Sequence, residues 1–362
     1  MKKNKKTAFS SFGIELDRNY FIENLSMLIS SGTSIISAFE AIKTEVRSKK
    51  MKNVIDIMIG EITTGSPIWR AMDKVSIFPS YMISLVRVGE ESGKLSLNLK
   101  AIVMEQEKNK AFKSKIKSAI MYPVIVLVIA VVVGIGIAWF ILPKLAVVFV
   151  QLKLKLPLIT KILISVGVFL QNYGLIALPA FLFLFGIVIY FLFIYKKTRF
   201  IGQSLLLGMP GVGKLIKEVE IARFGYILGI LLEAGLPIVE ALKSIGNATN
   251  ILAFKRLYKH LEKNIEEGNS FQKSFALYPK YRKIFPTSVL HIIVAGEQSG
   301  QLSESFKKIG EAFEEKTELS TKNLSVILEP ILLIIIWVGI VFIALAVILP
   351  IYSLVGGLNK PQ

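Results

Sequence analysis

Three long apolar runs without a charged residue stand out along the chain: Val124–Leu142, Leu175–Tyr195 and Ile331–Leu349. A helix of about 20 residues, rising 1.5 Å per residue, spans the roughly 30 Å hydrocarbon core of a bilayer. The runs therefore predict three transmembrane helices, in segments 120–142, 175–195 and 328–350. A shorter apolar segment, 158–171, is interrupted by Thr160 and Lys161. It either lies at the membrane interface or extends the second span.

The distribution of Lys and Arg predicts the orientation of these spans. Of the 44 basic residues, 20 precede the first span and 19 lie between the second and the third. The loop 143–174 carries four and the tail 351–362 carries one. Because cytoplasmic segments are enriched in Lys and Arg, both large segments are expected in the cytoplasm. The loop and the C-terminal tail are expected outside.

The two large segments are copies of one another. Residues 203 positions apart match from Phe21 and Phe224 onward, and after a four-residue insertion the offset becomes 207. At this second offset Gly89–Leu95 (GEESGKL) meets Gly296–Leu302 (GEQSGQL). The match continues through the following span, so the duplicated unit is a soluble segment with its membrane helix.

Each copy has the apolar spacing of short amphipathic helices. Phe21, Leu25, Leu28 and Ile29 follow the helical period, and glycine stops such as Gly32 separate one helix from the next. In the first copy Ser66 and Pro67 predict a helix start, with serine as the cap. The alternation at 149–156 is either one short strand or an extended loop.

The predicted fold is an all-α membrane protein with two tandem six-helix cytoplasmic bundles and three transmembrane helices. The bundles occupy residues 15–119 and 196–327. The N-terminal segment 1–14 is a basic tail, since no apolar stretch follows MKKNKK as a signal peptide requires.

Composition argues against most enzyme classes. The chain is 53% apolar and 19% charged, with no Cys and two His, so it has no thiol chemistry and few metal ligands. The net charge of +18 fits the topology and anionic lipid, and direct nucleic-acid binding is not expected. Gly208–Lys214 has P-loop spacing, but Leu215 replaces the hydroxyl residue that Mg²⁺ needs. We therefore expect no catalytic, cofactor-binding or metal-binding residue, and read His260 and His291 as structural.

The recurring GE-x-SG segments are the strongest local signal. They form either a structural helix–helix corner, in which glycine supplies positive φ, or a docking surface for a partner. The docking candidates are Gly89, Glu90, Glu91, Ser92 and Gly93 in the first copy and Gly296, Glu297, Ser299 and Gly300 in the second. Candidates at the membrane entries are Pro123, Glu329 and Pro330. Glu329 either has a coupling role or is simply solvated.

Together these motifs resemble the type II secretion F / PilC family, the inner-membrane platform proteins of type IV pili, type II secretion and competence systems. The resemblance covers nearly the full length, and includes LISSGTSIISAFEAI (29–43), LLEAGLPIVEALKSI (231–245) and LPLITKILISVG (156–167). It implies a multi-pass protein of the bacterial inner membrane that is not an enzyme and that forms homo-oligomers.

The same resemblance implies the partners. They are a cytoplasmic hexameric assembly ATPase, a retraction ATPase where one exists, pilin or pseudopilin subunits, other inner-membrane components of the machine, and the lipid bilayer. The chain would couple the assembly ATPase to polymerisation of the pilin or pseudopilin subunits. The alternative is a membrane transporter or another integral membrane scaffold; a transport path, however, needs polar groups inside the spans, and the three runs contain no charge.

Overall fold

The computed structural model describes residues 11–141, 143–144, 147, 151, 158–195 and 198–358. No strand occurs among them. The helices before residue 142 are α1 (Ser11–Ser30), α2 (Ile35–Glu45), α3 (Lys49–Thr63), α4 (Ile68–Val75), α5 (Ser80–Glu91) and α6 (Leu95–Gly136), which continues as a π-helical turn (Ile137–Ile141). Then come α7 (Leu158–Ile189), a second π-helical turn (Tyr190–Ile194) and α8 (Arg199–Gly208). The remainder is α9 (Val212–Glu233), α10 (Ile238–Ala248), α11 (Leu252–Glu266), α12 (Phe271–Ala276), a 3₁₀ turn (Pro279–Lys283), α13 (Thr287–Ser299) and α14 (Leu302–Leu358).

The chain forms two compact units. The first, which we call the repeat unit, takes the described parts of Met1–Ser114 and Gln203–Ser320. The second, the apolar unit, takes those of Lys115–Gly202 and Thr321–Gln362. The described soluble segments of both copies therefore belong to a single compact unit, with a hydrophobic core to which both copies contribute.

The helices of the two copies correspond closely. Helices α2 and α3 reappear as α10 and α11 at the offset of 203, with the same first and last positions. Helix α6 and helix α14 begin 207 positions apart, at Leu95 and Leu302. The 3₁₀ turn Pro279–Lys283 lies where the second copy has its inserted residues, so the insertion lengthens the connection between α12 and α13 and leaves the helices intact.

An aromatic pair is repeated in the core of each copy. The rings of Phe21 and Phe78 lie 5.9 Å apart between centroids, and those of Phe224 and Phe285, their counterparts, lie 5.1 Å apart. All four side chains are buried. Aromatic pairs at 4.5–7 Å add about 0.5–1.5 kcal/mol beyond the burial of their area. The pair therefore joins α1 to the start of α5, and α9 to the start of α13, in the same way.

Glycine ends the helices where the sequence predicts it. Gly32 and Gly235 have φ of +84° and +96°, in the left-handed region that glycine adopts without steric cost. The prediction that Ser66 caps α4 is wrong. The helix begins at Ile68 with Pro67 at the cap position, and no cap side chain bonds the first turn. Another part of the chain supplies that acceptor, as described below.

Helices α9 and α14 cross so closely that their backbones are in contact. A Cβ atom on Gly225 would lie 2.5 Å from both the Gly310 nitrogen and the Phe306 carbonyl oxygen. One turn further along α9, the Ser303 hydroxyl donates to the Gly229 carbonyl oxygen at 2.8 Å. Since real Cβ atoms do not approach other atoms this closely, the crossing requires glycine at residue 225.

Two helices among the described residues are long and apolar enough to cross a membrane, Leu95–Ile141 and Thr160–Ile194, and the most apolar part of each is unburied. Segment 158–171 belongs to the second helix and extends it, which decides between the two alternatives left by the sequence. The third predicted span is represented by a shorter described apolar stretch, Glu329–Leu345, so the third crossing stays a prediction. Within the apolar unit, Trp139 packs closely against α7, since a Cβ atom on Gly174 would lie 2.9 Å from its indole ring.

Some sequence-based predictions lie outside the described residues. They are the basic tail as far as residue 10, most of the strand-or-loop segment 149–156, and the last four residues of the tail 351–362. Residues 158–174 of the predicted outer loop are helical.

Replacement of Gly225 by alanine should lower the unfolding temperature of the detergent-solubilised chain, followed by circular dichroism. Overpacking a tight contact typically costs about 1–3 kcal/mol. Gly60→Ala in α3 is the matched control, because nothing lies within 4 Å of a Cβ at that helical glycine; it should gain about 1 kcal/mol of helix propensity. Equal shifts of the same sign in the two variants would contradict the tight crossing.

Candidate functional site

The first corner, Gly89–Leu95, joins α5 to α6 at very close range. A Cβ on Gly89 would lie 3.0 Å from the Cα of Leu95 and 3.1 Å from the Asn98 side chain. The Asn98 side-chain amide donates to the Leu85 carbonyl oxygen at 2.8 Å. Gly93 has φ of +70°, which turns the chain between the two helices. Both glycines of this motif therefore have a structural reason to be glycine.

Glu90 supplies the missing cap of α4. Its Oε1 accepts from the Ile68 amide at 2.9 Å and its Oε2 from the Trp69 amide at 3.3 Å. Amide groups of the first helical turn have no partner within their own helix, and a carboxylate there also interacts favourably with the helix dipole. The Glu90 side chain thus links the first corner to the start of a helix about twenty residues earlier in the sequence.

The second corner, Gly296–Leu302, repeats this arrangement. Both carboxylate oxygens of Glu297 accept from the Phe271 amide, at 2.9 and 3.0 Å, at the start of α12. Gly296 is buried against the Ser305 side chain of α14, and Gly300 has φ of +70°. The Ser299 hydroxyl donates to the Gly296 carbonyl oxygen at 3.4 Å. The motif thus recurs because both corners make the same contacts: a buried first glycine, a glutamate that binds backbone amides, and a second glycine with positive φ.

The exposed part of the first corner runs from Glu91 to Lys94. The Ser92 hydroxyl donates to the Val88 carbonyl oxygen at 2.6 Å, and Glu91 forms an ion pair with Arg87 at 3.0 Å. The Arg87 guanidinium also lies 5.4 Å from the centre of the Trp69 ring. Among the docking candidates of this corner, Glu91 therefore offers an exposed charge that caps no helix.

Arg87 and Ser84 place the first corner beside the second repeat. Arg87 reaches Glu240 of α10 at 3.6 Å, and the hydroxyls of Ser84 and Ser244 are 2.8 Å apart. Sequence reasoning missed this junction, in which helix α5 of the first copy packs on α10 of the second. The sequence carried one sign of this junction: the two copies differ at the positions that form it. Ser84 aligns with His291, and Ser244 aligns with Ala41.

Two buried carboxylates of the repeat unit each accept a hydrogen bond from a hydroxyl group. The Tyr81 hydroxyl donates to the buried Glu105 carboxylate. The Thr249 hydroxyl donates to buried Glu220 at 2.9 Å. Burial raises the pKa of Glu220, an effect that Arg223 and the Thr249 hydrogen bond oppose. Burial therefore favours the protonated carboxyl, and ionisation of Glu220 at higher pH costs the repeat unit stability.

The remaining candidates lie apart from the corners in the sequence. Pro123 lies inside α6, and Glu329 and Pro330 are exposed in α14. His260 contacts the Ser274 carbonyl oxygen at 3.0 Å, and His291 is exposed.

No group of three or more acidic or His side chains suited to a metal ion occurs in the part of the chain that the structure describes. The P-loop-like segment connects α8 to α9 and follows a helix, whereas a P-loop follows a strand.

These features define a class: a helical protein with a duplicated repeat, internally packed glycine corners and two apolar helices long enough to cross a membrane. The family model "Type II secretion system (T2SS), protein F" matches residues 21–143 and 226–350, and the chain belongs to that family. The two matched segments follow the two copies of the repeat.

Curated relatives come from both pilus and secretion systems. The chain is 27% identical to the type IV pilus assembly protein PilC of Thermus thermophilus, over 95% of this chain and 84% of the relative. It is 25% identical to PilC of Pseudomonas aeruginosa, over 94% and 90%. It is 26% identical to the type II secretion system protein F of Vibrio cholerae, over 91% and 80%. Family members are inner-membrane structural platform proteins of these machines, work with other machine components and are not known enzymes.

Replacing Glu90 by alanine should destabilise the repeat unit, because two amides of α4 lose their acceptor. Loss of a helix cap costs about 1 kcal/mol, visible as a lower unfolding temperature of the full chain in detergent. Glu91→Ala is the matched control, as it removes the adjacent exposed carboxylate and leaves the cap intact. If Glu91→Ala lowered the unfolding temperature as much as Glu90→Ala, the cap of α4 would not be the cause of the loss of stability.

Proposed function

We propose that this chain couples a cytoplasmic hexameric assembly ATPase to the polymerisation of pilin or pseudopilin subunits, as an inner-membrane platform. Family membership supports the platform role, and the relatives carry the names of pilus assembly and secretion proteins. The described residues contribute packing contacts and helix caps, which suits a component that transmits movement between partners.

The observation that carries the proposal is the length of helix α6. It runs from Leu95, at the end of the first corner, to Gly136 without interruption at Ser118 or Pro123. Helix α14 likewise runs from Leu302 to Leu358. Each helix begins at a corner whose glutamate caps another helix of the repeat unit. A displacement of the corner would be passed along the helix toward the apolar sequence, with internal prolines such as Pro123 in α6 and Pro330 in α14 as points of bending.

The proposal includes the topology. The three apolar runs predict three spans, and the distribution of basic residues predicts that segments 15–119 and 196–327 are cytoplasmic and that the C-terminus is external. Partners are the assembly ATPase, a retraction ATPase where the machine has one, pilin or pseudopilin subunits and further copies of this chain. A transporter is the less favoured alternative, because the three apolar runs contain no charged residue.

Insertion of seven glycines after Ser118 should abolish filament assembly or secretion while membrane insertion is retained, since the flexible segment interrupts α6. Seven alanines at the same place are the control. They add the same length, keep the helix and preserve its facing to within about 20°. Surface filaments are counted by electron microscopy, and membrane insertion is checked by fractionation. Normal filaments with the glycine insertion would overturn the coupling role of α6.

The docking role of the first corner is best tested at Glu91, because Glu90 and Glu297 also hold helices together. Glu91→Lys should reduce recovery of the assembly ATPase in a tagged pull-down from gently solubilised membranes, identified by mass spectrometry. Glu107→Lys, an exposed charge reversal on α6, is the matched control. If wild-type protein recovers neither an ATPase nor pilins, the platform proposal fails. If both variants retain the ATPase equally, only the docking site at Glu91 fails.

A further inference from the structure

Helix α8, Arg199–Gly208, exposes an apolar face. Phe200 is 54% exposed, Ile201 47% and Leu205 58%, and Met209 directly after the helix is 46% exposed. At 100° per residue, Phe200, Ile201 and Leu205 share one side of the helix with Ser204 and Gly208. Single exposed apolar side chains are common on protein surfaces. Several of them on one face of a ten-residue helix form an apolar patch, and such patches mark sites that contact protein or membrane.

The opposite side of α8 is fastened to the second repeat. The Gln203 side chain donates to the Asn250 carbonyl oxygen at 2.9 Å and accepts from the Leu252 amide at 3.0 Å. Both ends of the amide are therefore used on the connection between α10 and α11. Leu206 and Leu207, on the same side as Gln203, are partly buried. These contacts hold the part of α8 from Gln203 onward, which belongs to the repeat unit, so the exposure of Leu205 is built into that unit.

The position of α8 in the chain indicates what covers this face. The long apolar helix that ends at Ile194 is followed, within a few residues, by α8. The sequence between them is basic, with Lys196 and Lys197 just ahead of Arg199. An exposed apolar helix face gains free energy when it is buried at the boundary of headgroups and acyl chains, and basic residues beside it are attracted to anionic lipid.

We propose that α8 is an interfacial helix, with Phe200, Ile201 and Leu205 inserted at the boundary between headgroups and acyl chains of the leaflet in which the preceding span ends. The basic sequence that leads into the helix supplies the attraction to anionic headgroups. Such helices typically insert about 5–10 Å. Through Gln203 the helix holds the α10–α11 connection at the lipid surface. The second repeat thereby has a lipid attachment of its own, independent of the platform role proposed above.

The test uses the absence of cysteine from the chain. Leu205→Cys and, as the matched control, Leu277→Cys are each labelled with bimane in the full-length protein reconstituted into vesicles of phosphatidylcholine and phosphatidylglycerol. Both leucines are more than half exposed, and Leu277 lies next to α12. Quenching is measured with aqueous iodide and with a lipid that carries a nitroxide near the headgroup end of its acyl chain.

The label at residue 205 should be quenched by the nitroxide lipid and several-fold less by iodide than the label at residue 277. Equal iodide quenching at both positions, without nitroxide quenching at residue 205, would place the face in water and overturn the proposal. Protection of residue 205 from both quenchers would mean that protein covers it, which also overturns the proposal. Disulfide formation between two unlabelled Leu205→Cys chains would then identify a second copy as the occupant.

Discussion

One constraint organises both glycine corners of the repeat unit, the need of helices α4 and α12 for hydrogen-bond acceptors at their first turns. Glu90 meets it for α4, which has no capping side chain of its own. Glu297 meets it for the first amide of α12, where Ser270 also accepts from the Lys273 amide; all these donor–acceptor distances are 2.9–3.3 Å. Each corner can bring its carboxylate to the right place only because a glycine lets two helices nearly touch and a second glycine reverses the chain. Capping, close packing and chain reversal are therefore one coupled arrangement, present twice in the protein.

This coupling changes the meaning of a recurring charged motif. A Glu in an apparently exposed loop is commonly taken as a binding residue, and the recurrence of GE-x-SG strengthens that impression. Glu90 and Glu297 are half-buried and bonded to backbone amides, whereas Glu91 is exposed and paired with Arg87 one turn away. Charges that serve the fold and charges that are available to a partner thus stand next to each other. Substituting them together would mix the two effects.

Sequence reasoning located the helices well because their signals are local. The apolar period of α1 and the glycine after it lie within one short stretch of sequence. Because the sequence is duplicated, most helices of one copy can also be predicted from the other copy. The cap of α4 was misassigned to Ser66, because the true acceptor, Glu90, lies outside any local window. The junction of Ser84 with Ser244 spans 160 residues and involves positions at which the copies differ, so the internal repeat concealed it. Helix α8 lies outside the repeat comparison altogether.

The glycine crossing of α9 and α14 makes the two copies unequal in how their helices pack. The residues that align with Gly225, Gly229 and Gly310 are Ile22, Ser26 and Val103, so the first copy keeps side chains where the second has bare backbone contact. Residues at these positions therefore cannot be exchanged freely between the copies. Isoleucine at residue 225 would overfill the α9–α14 crossing, whereas glycine in place of the fully buried Ile22 would leave a cavity in the first copy.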